Sequence, residues 1–411
     1  MCPDIPVFGL TQTQYPNVVV WVDDSGVAHA RDTRTGNIIA ESSDHASVIG
    51  AALNALTPNR TWKERVVVRG SFTLARRVSV PSFTVLDLRA AKLRLADGAN
   101  TNVLYLVGAS NVEILLGEID GNKSNQTTAA DAVSLSGCTS VQIKGGRIYN
   151  ASGSGIGVLN SKDITVHGVR LDEANLFVFT WTPDPAKSEK IVISKVRAYR
   201  SKIVVSDVND ALIEGCTVWG FDRGTDVIPI HVQNVQYARV IGNHVEGGKQ
   251  CIGAFIGGFA EIVGNTVTGA WMINNEWGIG IGANTRAVIA GNIAYGCEGA
   301  GLDLEVERGV IADNLTFGYK YGIYVGNALG TQYGIVVKGN VVYSNSDYGI
   351  GLENTQYSVI AENIIENNAR YGIYRMGTSD YDIYIANIVR GNGAPSTGFG
   401  ANDLVANNIG L

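Results

Sequence analysis

Val240-Ile-Gly-Asn-His-Val245 places an apolar residue, two further residues, Asn243, one residue and a second apolar residue in a row. The pattern occurs thirteen times between residues 114 and 409. Downstream its central slot holds Asn265, Asn292, Asn314, Asn340, Asn363, Asn387 and Asn407; upstream it holds Gly117, Gly146, Val169, Val196 and Cys216. Successive slots lie 20 to 29 residues apart. A period of about two dozen residues marks a stacked repeat with one coil per copy. Residues that far apart in sequence then become neighbours at about 4.8 Å across adjacent strands.

Each coil carries a second strand of the form Gly-Ile-x-apolar. It falls at Gly155-Ile156, Gly278-Ile279, Gly301-Leu302, Gly322-Ile323, Gly349-Ile350 and Gly372-Ile373, with variants at Ile203, Ile228 and Ile252. Short strands, one-way coiling and Gly or Asn at the bends predict an all-β, right-handed parallel β-helix of about 12–13 coils over residues 43–411. The asparagines are read as fold-supporting: Asn tolerates the bends, and its amide reaches the coils above and below. Ser43 or Asp44 caps a predicted helix over residues 44–57, with Val48, Ile49, Ala52, Leu53 and Leu56 on its apolar face. That helix covers the open end of the first coil. Residues 1–42 read as a small β-meander or accessory segment.

Composition narrows the function. The net charge is −6 over 411 residues and no basic run appears, so nucleic acid is not expected as a partner. A local basic cleft still leaves room for an acidic sugar. No apolar stretch is long enough to span a bilayer. The N-terminus lacks a basic and apolar export signal. We expect a secreted or extracellular protein whose signal has been removed, with a cytoplasmic location left open. Five cysteines, widely spaced and without Cys-x-x-Cys, argue against a zinc site and a disulfide framework.

The cap helix, the strands Val66-Val-Val-Arg-Gly-Ser-Phe-Thr-Leu74 and Val80-Pro-Ser-Phe-Thr-Val-Leu86, the turn Ile119-Asp-Gly-Asn122 and the Gly-Asn-x-Val coils carry a resemblance. Over roughly residues 43 to 411 the chain resembles the pectin-lyase-like superfamily, and most of all its glycosidases, polysaccharide lyases and tailspike-type depolymerases. That resemblance implies a polysaccharide substrate and a groove on one sheet. Fold alone does not give activity. The Asn-Thr-Asp, Asp-Asp and Gly-His-Gly set of polygalacturonases is absent from the sequence, as is the calcium-binding carboxylate cluster of many pectate lyases.

Candidate chemistry gathers on the outward positions of the Gly-Ile-x-apolar strand. One row reads Pro229, Gly253, Gly280, Asp303, Tyr324, Gly351, Tyr374; the next reads His231, Phe255, Gly282, Glu305, Gly326, Glu353, Met376. Asp303 and Glu305 alternate with Leu302 and Leu304, which puts both carboxylates on one face about 6 to 7 Å apart. Glu353 lies two coils from Glu305, roughly 10 Å away. Glycoside hydrolysis needs such a pair, one carboxyl to protonate the leaving oxygen and one carboxylate to activate water or attack. Asp303 and Glu305 are therefore the expected acid/base pair, with Glu353 in reserve. The plainer alternative is a solvated strand.

Trp277, Tyr321, Tyr324 and Tyr374, with Tyr348 and Tyr371, form either a stacking platform for pyranose rings or an aromatic ladder between coils. Glu276 and His231 complete the expected substrate contacts. Lys320 and Arg375 support a second reading, β-elimination of a uronic-acid polymer, where a base removes a proton and a cation neutralises the carboxylate. Arg375 fills a slot that is apolar in other coils, so it serves only if the register shifts there. No cofactor is expected for hydrolysis; Ca²⁺ enters only if the protein is a lyase. A non-catalytic adhesin or tailspike-like fibre is the third reading. The expected state is monomer or homotrimer.

Overall fold

A computed structural model describes residues 16–180, 188–222, 226–256, 258–270, 278–296, 298–326 and 330–411, with the side chains of 283–285 left aside. The chain is an all-β parallel solenoid of about 14 turns. The turn count slightly exceeds the number of repeat copies because the first turns, over Glu64–Leu74 and Thr84–Leu95, precede the repeat. It forms two compact units, residues up to 157 with 161–170, and residues 158–160 with 171–411.

In the first unit, Val18–Val22, Ala28–Asp32 and Ile38–Ser42 form the antiparallel meander. The meander is not free-standing, since Val18 to Trp21 pair in parallel with Val66 to Arg69. The helix spans His45–Asn54, shorter at both ends than its apolar pattern suggests. The Asp44 carboxylate accepts from the Ser47 backbone N–H, satisfying one of the free donors at the helix start. Ala46, Val48, Ile49, Ala52 and Leu53 are buried. Coils then stack in register, as in Ile114↔Ile143 and Ile143↔Val166.

The second unit is organised around a file of buried asparagines. Each Asn Nδ2 donates to the next Asn Oδ1 and to a strand carbonyl of the preceding coil. Asn314 Nδ2 reaches Asn340 Oδ1 and Ile289 O, both at 2.9 Å. The same Oδ1 also accepts the preceding Asn backbone N–H, as Asn292 N to Asn314 Oδ1 at 3.0 Å. Every amide is thus satisfied without water, which burial requires. The file starts at the Cys216 amide and ends at Asn408. The pattern had set Asn407 in the last slot. Asn407 instead takes the left-handed conformation at φ 53°, which turns its side chain out and hands the slot to the next residue. A second file, Asn345, Asn368 and Asn392, runs beside the first and has no counterpart in the sequence reading.

Candidate functional site

The face that gathers the candidate residues is built from one short strand per coil of the second unit. These are Ile230–Gln233, Ile252–Phe255, the start of Ile279–Ala290, Ala300–Ala312, Tyr321–Gly326, Tyr348–Glu353 and Tyr371–Met376. Leu302, Leu304, Ile323, Val325, Ile350 and Leu352 point inward and are fully buried. Alternation then sends the residues between them outward. Gly301, Gly322 and Gly349 are the second residues of their strands, where coils nearly touch. A Cβ on Gly322 would lie 2.6 Å from the Gly349 carbonyl oxygen, so no larger residue fits.

The register aligns His231, Gly253, Gly280, Asp303, Tyr324, Gly351 and Tyr374 in one outward row. In the second row Gly326, Glu353 and Met376 pair across coils. Glu305 sits level with Gly326, one residue past the Leu304↔Val325 pair. Asp303, Glu305, Tyr324 and Glu353 therefore share one wall. Glu305 and Glu353 are two coils apart, about 10 Å by coil spacing.

The electrostatics of the carboxylates differ. Burial raises the Glu305 carboxyl above the ordinary carboxylate range, and Glu305 has no hydrogen-bond partner among the described residues. Glu353 accepts a hydrogen bond from the Tyr324 hydroxyl at Oε2. Burial first, then that bond and the charges of Glu353, Asp303 and Glu305, push the Tyr324 hydroxyl far above the usual phenol range. Tyr324 is thus a fixed donor rather than a base. Asp303 keeps it so.

Beside the carboxylates runs a tyrosine stack. Tyr321 and Tyr348 lie 4.2 Å apart, Tyr348 and Tyr374 5.1 Å, and Tyr371 and Tyr374 5.2 Å. Lys320 Nζ stands 4.8 Å from the Tyr321 ring centre, and the Arg370 guanidinium 5.1 Å from that of Tyr371. Tyr348 is buried because its ring lies over Gly351, where a Cβ would meet Tyr348 Cε2 at 2.5 Å. A tyrosine three residues before an outward glycine is the sequence signal for that packing. The stack is both a ladder between coils and a partly open aromatic surface.

Three expectations are corrected. Ile230, not Ile228, takes the inward slot opposite Ile203 and Ile252, so Pro229 leaves the first row and His231 enters it opposite Gly253. His231 is half-buried, with its edge on Phe255 at 5.6 Å, and burial followed by the Lys202 charge lowers its pKa. Arg375 pairs in register with Leu352, with no shift to bring it outward. Its guanidinium instead reaches Asp403 at 3.3 Å and the carbonyls of Gly398 and Ser379, at the C-terminal end of the solenoid. Arg375 is no part of the site. Glu276 and Trp277 lie outside the described residues.

Coils closing on one another in parallel, with a carboxylate wall on one sheet, define a right-handed parallel β-helix protein. In fold the chain is similar to the pectin-lyase-like superfamily of such solenoids. A model of the right-handed β-helix region matches residues 98–271, and one for the periplasmic copper-binding protein NosD matches residues 209–393. Tailspike protein 3 of bacteriophage CBA120 is 14% identical with a TM-score of 0.63, covering 95% of this chain and 64% of its own. The A-module of the Azotobacter vinelandii mannuronan C-5 epimerase AlgE4 is 16% identical with a TM-score of 0.44, covering 88% and 96%. The Streptococcus pneumoniae surface adhesin PfbA is 15% identical with a TM-score of 0.47, covering 83% and 89%. No curated protein matches in sequence. These likenesses are of fold.

Copper does not fit the described residues. Among the described residues no group of three or more His, Cys, Asp or Glu side chains is placed to hold a metal ion. Cys216 and Cys251 are buried, with their Sγ atoms against backbone carbonyls. Burial pushes the Cys216 thiol up to about 12, so it stays protonated and is no ligand at neutral pH.

Proposed function

We propose that this protein binds a polysaccharide along the outward face of the second unit and hydrolyses its glycosidic bonds. The observation that carries the reading is the unequal treatment of two carboxylates on one wall. Glu305, whose carboxyl burial raises above the ordinary carboxylate range, is the general acid that donates to the leaving oxygen. Glu353, held as an acceptor by Tyr324, is the carboxylate that activates water. Inverting glycosidases place such a pair about 6.5 to 9.5 Å apart, and side-chain reach across two coils supports that range. The sequence pairs Asp303 with Glu305; the burial of Glu305 and the Tyr324 hydrogen bond to Glu353 favour Glu305 with Glu353. Tyr321 and Tyr374 position sugar rings. The chemistry needs no metal. An extracellular or periplasmic setting fits a polymeric substrate, and no helix among the described residues is long and apolar enough to cross a membrane.

β-Elimination is less well supported, because Tyr324 is a poor base and Arg375 turns away. Incubation with a panel of polysaccharides tests the choice. New reducing ends without ultraviolet-absorbing unsaturated products are expected, and they should vanish in Glu305→Gln. Unsaturated ends would overturn hydrolysis in favour of elimination. Binding without any product would leave an adhesin or tailspike-like role.

A further inference from the structure

In the first unit a separate open cleft of about 730 Å³ is lined by Arg89, Lys92, Glu118 and Arg147. Its floor is backbone. A Cβ on Gly117 would lie 2.1 Å from Leu88 O, and one on Gly146 2.4 Å from Gly117 O, so the coils close there without side chains. Lys92 pairs in register with Glu118, and Glu118 with Arg147, which places the two cations two coils apart, about 10 Å, with the carboxylate between. Tyr149 braces both: the Arg147 guanidinium stands 4.5 Å from its ring centre and Lys92 Nζ 5.9 Å. Lys92 Nζ is 3.9 Å from Glu118 Oε2, too far for a hydrogen bond, and Lys92 remains 46% exposed. Arg89 is held as a fork on Asp87, at 2.9 and 2.8 Å, and is 62% exposed. With Arg89 paired to Asp87, Lys92 and Arg147 still outnumber Glu118 on the lining, on a chain whose net charge is −6.

We propose that this cleft binds an acidic polysaccharide, with sugar carboxylates on Lys92 and Arg147 of alternate coils. Pre-aimed cations spaced along a groove suit an extended polymer with regularly spaced charges. A nucleic acid fits less well, because Tyr149 already has Arg147 over its ring and offers little stacking surface to a base. The site is independent of the hydrolase reading.

The test uses the full chain carrying Glu305→Gln, so that turnover cannot deplete the ligand. A uronic-acid oligosaccharide and its fully methyl-esterified counterpart are titrated calorimetrically. The acid should bind, weaken as salt rises, and exceed the ester by at least about tenfold. Lys92→Ala and Arg147→Gln should each weaken it about tenfold, the scale of one charged hydrogen bond. Glu118→Gln should tighten it, a gain that misfolding cannot mimic. Equal affinity for acid and ester, or no response to Glu118→Gln and Arg147→Gln, overturns the proposal. So does a single-stranded oligonucleotide that binds more tightly than the uronate.

Discussion

The hydroxyl of Tyr324 donates to Oε2 of Glu353, its diagonal neighbour on the next coil. The bond joins the two outward rows of the face and gives one carboxylate a fixed orientation. Removing it with Tyr324→Phe should lower kcat roughly ten- to hundredfold with little change in KM, the scale of one hydrogen bond to a charged group. Glu353→Gln should cost more, on the order of 100- to 10,000-fold. Steady-state kinetics on the cleaved polysaccharide would show it; equal KM and kcat losses in Tyr324→Phe would mark the tyrosine as a substrate contact only.

Glu305 should set the alkaline limb of the rate profile. Its raised pKa keeps the acid protonated to higher pH than a free carboxyl, and activity should fall as pH passes through that value. Stability should follow the same sign. A folded pKa above the unfolded one contributes stability below the unfolded value and loses it as pH rises through the folded one. Glu305→Gln should therefore abolish turnover while raising the melting temperature at neutral pH, with little effect at acid pH. Thermal melts across a pH series decide this.

Asn314→Ala should destabilise the second unit by about 2–4 kcal/mol. The Asn292 backbone N–H and side-chain amide both lose their buried acceptor. Asn407→Ala, outside the file and exposed, should cost under about 1 kcal/mol. Chemical denaturation of the two variants separates file from bend; equal losses would contradict the assignment of Asn408 to the slot.

Arg375→Met should loosen the last coils rather than impair binding. Asp403, its side chain fully buried, loses its cation at 3.3 Å, a change worth about 3–5 kcal/mol. Faster hydrogen exchange over residues 379–406, with sugar affinity retained, is the expected outcome. Lost affinity with unchanged exchange would return Arg375 to the site.

The repeat made the solenoid legible because a buried slot tolerates few side chains, and Asn recurs wherever its amide must meet two neighbours. The alternation of Leu302 and Leu304 likewise placed Asp303 and Glu305 outward, and the coil period brought Glu353 to the same wall. Local geometry escaped the pattern. Ile228 and Ile230 are both apolar and two residues apart, so periodicity cannot choose between them, and His231 changed rows with that choice. Arg375 stands in an inward slot, where its real partner, Asp403, lies a coil further on. The second asparagine file was missed because Asn345 and Asn368, although Val342 and Ile365 precede them by three residues, are followed by Asp347 and Arg370 where the first file usually has an apolar residue. The unequal Glu305 and Glu353 arise from burial and one hydroxyl contact, neither of which composition records.

The asparagine file also limits how this protein can change length. Each link gives to one neighbour and takes from the other, so removing a whole turn rejoins two matching ends and leaves every amide satisfied. Losing only part of a turn would strand buried donors along the break. Indels should therefore be inherited as complete turns, or be confined to the bends, and loop grafting offers an engineer the same two choices.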